Sequence, residues 1–383
     1  MLAQSLSMLG DSLLGVALAL YVLDASGSAA LSAATALARI VPTLLFGAIG
    51  GTLVDRSDRR TLLWRVTLLR AGLVLPLLLV TGGWIPLSGV LALELLRALL
   101  AQLAGPAVGA SLPVVVAPDD LPRANARLAA RNVVIQLAAP TLGATLYAAQ
   151  GLGLVVALNA GLYVIASFAW LALPRQTSVQ HSGLRVWADT VAGFRIVTED
   201  EVLRPLLASL TLSLIGLSIE LAVLVPFIRR DLAGSAQSVG VLTSLEAVGA
   251  LLAAITFTRL HRRAGTTRLM RFGMWGMPVA TSSFLLSQSV GQAVPGVMAA
   301  GFMLSLLTAS LQVHLQQAVA VTHLGRVVGI LGSTIALAAL LGTTTAVVLS
   351  TALELRIVLL FAIAIELTGV LAYLFTTGHR RGR

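Results

Sequence analysis

Apolar runs of about twenty residues, broken by short polar or glycine- and proline-bearing stretches, recur along the entire chain. A bilayer core is crossed by roughly 20 consecutive apolar residues in helical form, so each run predicts a membrane helix. Reading the runs against their breakers gives twelve: 2–23, 29–53, 61–81, 87–113, 127–149, 153–173, 204–228, 237–258, 268–289, 294–316, 327–350 and 356–376. Gly82-Gly83, Pro118-Asp119-Asp120 and Arg229-Arg230-Asp231 stand where helices should stop. The predicted fold class is an all-α membrane protein with twelve transmembrane helices. The longest break divides it into a six-helix bundle over 1–173, a cytoplasmic linker over 174–203, and a second six-helix bundle with a short basic tail over 204–383. Within the linker, Leu184, Trp187, Val191, Phe194 and Val197 recur at helical spacing. This pattern predicts an amphipathic helix on the cytoplasmic membrane surface, tethering the two halves.

Composition agrees with the pattern and narrows the function classes. Charged residues make up 11% of the 383 residues and hydrophobic ones 57%, whereas soluble domains carry about 25% charge. A water-facing globule is excluded. The net charge of +10 does not point to nucleic acid, because the basic residues are scattered between apolar runs without aromatic-interleaved blocks. Every basic residue is arginine and cysteine is absent, which excludes disulfides and thiolate metal sites. Met1 begins almost inside the first run, with neither the basic n-region nor the cleavage site of a signal peptide. The first helix is therefore expected to be retained, and the gene start can lie upstream.

Arginine placement orients the chain. With a cytoplasmic N-terminus, twenty of the 26 arginines fall in cytoplasmic loops and helix ends. Arg229, Arg230 and Arg356 fall outside, and Arg39, Arg70 and Arg97 lie within spans. Cytoplasmic loops carry the basic excess, so both termini are predicted to be cytoplasmic.

One loop holds more than a positive turn needs. Gly51-Thr52-Leu53-Val54-Asp55-Arg56-Ser57-Asp58-Arg59-Arg60 joins spans 2 and 3, and Asp55 contributes nothing to topology. The decapeptide resembles the G-x-x-x-D-R-x-x-R-R signature of the major facilitator superfamily. Pro118-Asp119-Asp120-Leu121-Pro122-Arg123-Ala124-Asn125-Ala126 and Ser7-Met8-Leu9-Gly10-Asp11 resemble its drug, macrolide and enterobactin exporters. Ala139-Pro140-Thr141-Leu142-Gly143 is similar to the G-P-x-x-G antiporter signature, with Ala139 replacing the first glycine. The resemblance covers the first 175 residues well and the remainder mainly by hydropathy. His261-Arg262-Arg263-Ala264-Gly265-Thr266-Thr267-Arg268 stands where the second half should repeat the decapeptide, basic but without the acid.

The resemblance implies the major facilitator fold, alternating access and a cytoplasmic gate. In that family the loop acid sits against the start of helix 11, and the arginines pair with acids ending helix 4. Gly51, Asp55, Arg56, Arg59, Arg60, Asp119 and Asp120 hold those positions here. The electrostatics are sound, since a carboxylate favours a helix N-terminus and arginine forks onto carboxylates. A purely topological role for the loop stays open. Pro140 and Gly143 are expected to kink helix 5 and permit close packing. The pairs Gly47/Gly51, Gly105/Gly109 and Gly325/Gly329 also have helix-packing spacing.

Asp11, Arg39, Arg70, Glu94, Arg97, Glu220, Glu246 and Glu366 fall inside predicted helices. Each charge near the bilayer centre costs about 2.5–3.5 kcal/mol, so these groups must pair, face water or be neutral. Glu94 and Arg97, three apart, share a helix face. In the resembled family helices 1, 4, 7 and 10 line the cavity. Asp11 is thus the first candidate for proton coupling, Glu94 with Arg97 the second and Glu220 the third, with Arg39 and Glu246 as further cavity charges. Helix 12 is peripheral in that family, so Glu366 is expected to be a packing group, and Arg70 likewise. For each residue, a charge pair that only fixes helix packing is the alternative reading.

No nucleotide-binding loop, catalytic dyad or metal-ligand spacing occurs. An enzyme and an ATP-driven pump are set aside, and no cofactor or metal is expected. The expected function is proton-coupled efflux of amphipathic, macrolide-like organic molecules by a secondary transporter. Its partners would be a small-molecule substrate, protons and membrane lipid, and it is expected as a monomer in the bacterial inner membrane. Two alternatives stay open: export of a siderophore or anionic metabolite drawn by Arg39, Arg70 and Arg97, and lipid or lysolipid flipping.

Overall fold

A computed structural model describes residues 2–55, 57–80, 82–117, 120–174, 203–318 and 321–378. Most of these residues are helical and none is in a strand, consistent with a lipid environment in which backbone groups must be satisfied within the segment. The first helices are α1 (Leu2–Ser26), α2 (Ala29–Asp55), α3 (Arg59–Val80, with a turn at Leu75–Pro76) and α4 (Leu87–Val115). Leu121–Trp170 leaves helical angles at Gly151 (φ 72°, ψ −171°), which separates α5 (121–150) from α6 (152–170). Pro140 stays inside α5, and the break at Gly151 falls between the expected spans 127–149 and 153–173. Then follow α7 (Leu203–Arg230), α8 (Ala236–Ala264), α9 (Thr266–Leu285), α10 (Val290–Ala318), α11 (Val321–Leu349) and α12 (Leu355–Gly378).

Among the described residues, eight helices are long and apolar enough to cross a membrane. Ala130–Trp170, with 41 residues, is one of the eight and contains the Gly151 break; Ala29–Thr43 and Thr334–Leu349 are shorter apolar helices. The twelve-span expectation is thus met in part. In α9 the apolar run is diluted by Arg268, Arg271 and the Thr281-Ser282-Ser283 triplet.

Local chemistry sets several helix ends. Asp58, a second acid in the loop decapeptide, accepts hydrogen bonds from Thr61 N (3.3 Å) and Thr61 Oγ1 (2.6 Å), capping α3. Gly265, at φ 75°, turns α8 into α9 in a conformation that a Cβ disfavours. Arg356 donates to the carbonyls of Leu285 (3.0 Å) and Ser287 (3.1 Å) and lies 3.6 Å from Asp231, joining the ends of α7, α9 and α12. Burial raises the Asp231 carboxyl above the usual aspartate range, and Arg356 opposes that shift.

The chain divides into two compact units: Met1–Leu184 with Val239–Ser244, and Arg185–Ser238 with Leu245–Arg383. In the first, α1 packs on the α5–α6 segment, α2 on α4, and α3 on both α4 and α5–α6. Its buried core takes Leu14 and Leu18 from α1, Val74 from α3, Ala139 from α5, and Val155 and Tyr163 from α6. Gly143 brings α5 against the α1 backbone, since a Cβ there would lie 2.5 Å from Leu13 O. In the second unit, α7 packs on α11 and α12, and α9 on α10. Leu210, Met270, Met274, Leu307, Leu311 and Val370 fill part of its core.

Gly105 and Gly109 do not make the expected packing contact. Both are exposed, and a Cβ at either would meet nothing within 4 Å. The surroundings of Gly47, Gly51, Gly325 and Gly329, and the amphipathic helix expected over 184–197, lie outside the described residues.

Candidate functional site

Four helices of the first unit converge on Asp11. Arg70 of α3 donates from Nη2 to Asp11 Oδ1 at 2.8 Å and to Oδ2 at 2.9 Å. Arg97 of α4 and the Tyr163 hydroxyl of α6 both donate to Asp11 Oδ1. Arg97 also donates to the Tyr163 hydroxyl (2.9 Å) and grips Glu94 through Nε (2.9 Å) and Nη2 (2.6 Å). Arg70 lies over the Tyr163 ring, 4.6 Å from its centroid, a cation–π contact favoured where water is excluded. Arg39 of α2 completes the cluster, 3.7 Å from Glu94. Its guanidinium passes over Gly15 of α1, where a Cβ would come 2.5 Å from Nη1.

This arrangement solves most of the cost of placing charge in lipid. Arg70, Arg97 and Glu94 are buried, and each is hydrogen-bonded to opposite charge. Such forked pairs are strong and directional, and removing one partner from a buried pair costs about 3–5 kcal/mol. The Asp11 side chain keeps 33% exposure and that of Arg39 47%. These two are where a proton or polar ligand can reach the cluster. Three arginines against two acids leave it with one excess positive charge.

The second unit carries a different cluster. Thr281 Oγ1 of α9 lies 2.7 Å from Glu220 Oε2 of α7 and 3.2 Å from Glu366 Oε2 of α12. It also lies 3.2 Å from Met277 O. All three side chains belong to buried residues, and neither glutamate forms an ion pair among the described residues. Gly216 makes room for Glu366, whose Cγ and the nearby Ala362 carbonyl occupy the place a Cβ would take. Glu366, for which a packing or interfacial place is expected, is fully buried opposite Glu220, because α7 and α12 pack directly together. Glu246 is half-buried on α8, and its backbone carbonyl touches Gly301 of α10.

The expected gate residues are placed only in part. Gly51 and Asp55 fall in the last turns of α2, with the Asp55 side chain outside the described part, and Arg56 and Asp119 lie outside the described residues. Arg59 and Arg60 open α3, and Asp120 precedes α5.

Sequence reasoning missed Tyr163 and Thr281. A tyrosine in the middle of an apolar run signals a buried hydroxyl that needs a partner, so Tyr163 was open to detection. Thr281 begins a hydroxyl-rich triplet and carries no comparable signal.

Residues 206–383 match the family model of the Major Facilitator Superfamily. The chain resembles the transporters of that superfamily. Macrolide efflux protein A of Streptococcus pyogenes is 26% identical over 166 residues, 43% of this chain; the match spans only 41% of that protein's length. Among solved structures, a bacterial homologue of the iron transporter ferroportin in an inward-facing state aligns with a TM-score of 0.76 and 18% identity, over 98% of this chain and 97% of that one. The nucleoside transporter NupG aligns with a TM-score of 0.76 and 14% identity, over 98% of this chain and 99% of its own. At these identities the structural likeness concerns the major facilitator fold. The apolar helices, with the match of residues 206–383 to that family's model, mark the chain as an integral membrane protein.

Proposed function

We propose that this major facilitator protein is a twelve-helix secondary transporter that exports amphipathic organic molecules, macrolide-like compounds among them, in exchange for protons by alternating access. The observation that carries the reading is Asp11, a partly exposed carboxylate within a membrane span, on which α1, α3, α4 and α6 converge. A proton placed on Asp11 removes the charge that holds two guanidinium groups. Gain or loss of that proton therefore alters the attraction among four helices, a local charge event able to bias a conformational equilibrium. Glu94 and Arg97 form the fixed part of this network and Arg39 its polar edge. Glu220 and Glu246 are assigned supporting roles in the second unit.

The loop from Gly51 to Arg60, with Asp119 and Asp120, is assigned to the cytoplasmic gate, and Pro140 with Gly143 to the bend and packing of α5. Both termini are assigned to the cytoplasmic side of a bacterial inner membrane, on the arginine distribution. One observation favours the anionic-cargo alternative: the excess positive charge of the first cluster sits on Arg39, its most exposed member.

The test uses everted vesicles with an acidic interior and a pH-sensitive dye. Macrolides, cationic dyes and a catecholate siderophore are added in turn to wild type and Asp11→Asn. Proton release with macrolides or cationic dyes, abolished in Asp11→Asn, is the expected result. Release with the siderophore alone would select the anionic alternative, and release that persists in the variant would remove Asp11 from the mechanism.

A further inference from the structure

Asp11 is the third of three polar residues on one face of α1. Gln4, Ser7 and Asp11 follow at intervals of three and four, which stacks them along the helix. Gln4 Oε1 and Ser7 Oγ are buried and have no hydrogen-bond partner. On α6, beside Gly10 of α1, Asn159 is fully buried, with neither Nδ2 nor Oδ1 partnered. It lies so close to α1 that a Cβ on Gly10 would come 2.7 Å from its nitrogen. One turn further along α6 is Tyr163, which donates to Asp11. At the start of α1, Gln4 lines a cavity of about 90 Å³ with Ser111, Leu128 and Trp170.

Orphaned polar atoms at this spacing fit one ligand. A buried polar group without a partner costs about 1–3 kcal/mol, whereas fixing a bridging water costs about 0–2 kcal/mol. One helical turn rises about 5.4 Å, close to the reach of one water making two hydrogen bonds of about 2.8 Å. A water also needs only about 10–15 Å³ and two to four polar partners, so the cavity at Gln4 has room for several. We propose that Gln4, Ser7 and Asn159 hold a file of water molecules inside the first unit, running from this cavity to Asp11 and delivering its proton. Each water accepts a proton on its oxygen from the preceding neighbour and passes one of its own hydrogens onward. One proton enters the file, one reaches the Asp11 carboxylate, and the waters are chemically unchanged. The charged and titratable groups around the path are Arg70, Arg97, Glu94 and Tyr163, with Arg131 of α5 approaching Met8 (Nη2 to Sδ 3.7 Å). Proton delivery rests on the coupling role proposed for Asp11; the presence of the water does not.

The experiment irradiates the full-length protein in nanodiscs with X-ray pulses, which generate hydroxyl radicals from water, and maps oxidised side chains by mass spectrometry. Tyr163, Phe227 and Phe284 are all 0% exposed, and the intrinsic reactivities of tyrosine and phenylalanine toward hydroxyl radical differ by only about twofold, so a several-fold excess at Tyr163 reports water beside it. Tyr163 is expected to be labelled several-fold faster than either phenylalanine. Ser7→Val and Asn159→Leu should each lower Tyr163 labelling several-fold while exposed Trp84 is labelled as before, which also controls for folding. Tyr163 labelling as slow as that of Phe227 in wild type, or labelling unchanged in both variants, would overturn the file. In the vesicle assay, the two variants should slow cargo-driven proton release several-fold with Asp11 intact. Full-speed release despite lost labelling would overturn the delivery role. A labelled Tyr163 in a wild type that releases no protons would leave the file standing and sink the proton-coupled reading instead.

Discussion

In the first unit, Asp11 and Glu94 face arginines; in the second, Glu220 and Glu366 face each other across a threonine. Both arrangements bury carboxyl groups in apolar helices, yet they meet the cost of charge in lipid differently. Around Asp11, opposite charges cancel and the planar guanidinium groups fix helix positions through paired hydrogen bonds. Around Thr281, a single hydroxyl proton lies within reach of two carboxyl groups and a carbonyl, with no arginine to balance them among the described residues. The first arrangement concentrates stability in its ion pairs, so breaking one leaves a buried charge uncompensated. Among the described residues, the second holds no such pair to break. The difference separates a network that resists substitution from an acid pair that tolerates it.

The largest expected effect tests the charged network. Arg97→Gln removes the group shared by Asp11, Glu94 and Tyr163 and should destabilise the protein by about 3–5 kcal/mol, measured by denaturation in detergent. A loss well below about 1 kcal/mol would show that the network adds little, and the comparison would lose its first half.

Next comes packing beneath the acid pair. Gly216→Val drives a side chain into Glu366 and the Ala362 carbonyl and should cost about 1–3 kcal/mol. Gly105→Ala, facing open space, serves as the control and should be neutral or gain up to about 1 kcal/mol. Equal losses at both positions would mean that general helix disturbance, not the seating of Glu366, sets the effect.

The smallest effect is the sharpest discriminator. Glu366→Gln keeps an amide in reach of Thr281 and removes an acid that has no cation beside it among the described residues. It should change stability by less than about 1 kcal/mol, while Glu94→Gln, measured alongside, should cost several times more. If Glu366→Gln proves as damaging as Arg97→Gln, the two clusters work alike and the contrast fails.

Much of the architecture was legible in one dimension. Run length marks a span, and arginine counts predict an orientation, because both depend on transfer from water to lipid and little on which helix meets which. The Glu94–Arg97 pair was legible for a related reason: three residues apart on a helix is a local distance. Where composition blurred the signal, as in α9 with its arginines and hydroxyl residues, the span reading weakened.

The clusters themselves were decided by tertiary structure. Asp11 meets Arg70, Arg97 and Tyr163 across separations of 59, 86 and 152 residues, and no periodicity in the chain encodes such meetings. Glu366 joins Glu220 because small residues such as Gly216 let α7 and α12 approach closely. The sequence alone determined that buried charges exist and must be compensated, since that follows from the cost of charge in lipid. Which partner compensates each one depends on helix packing, a property of side-chain shape across distant segments, and only the folded molecule settles it.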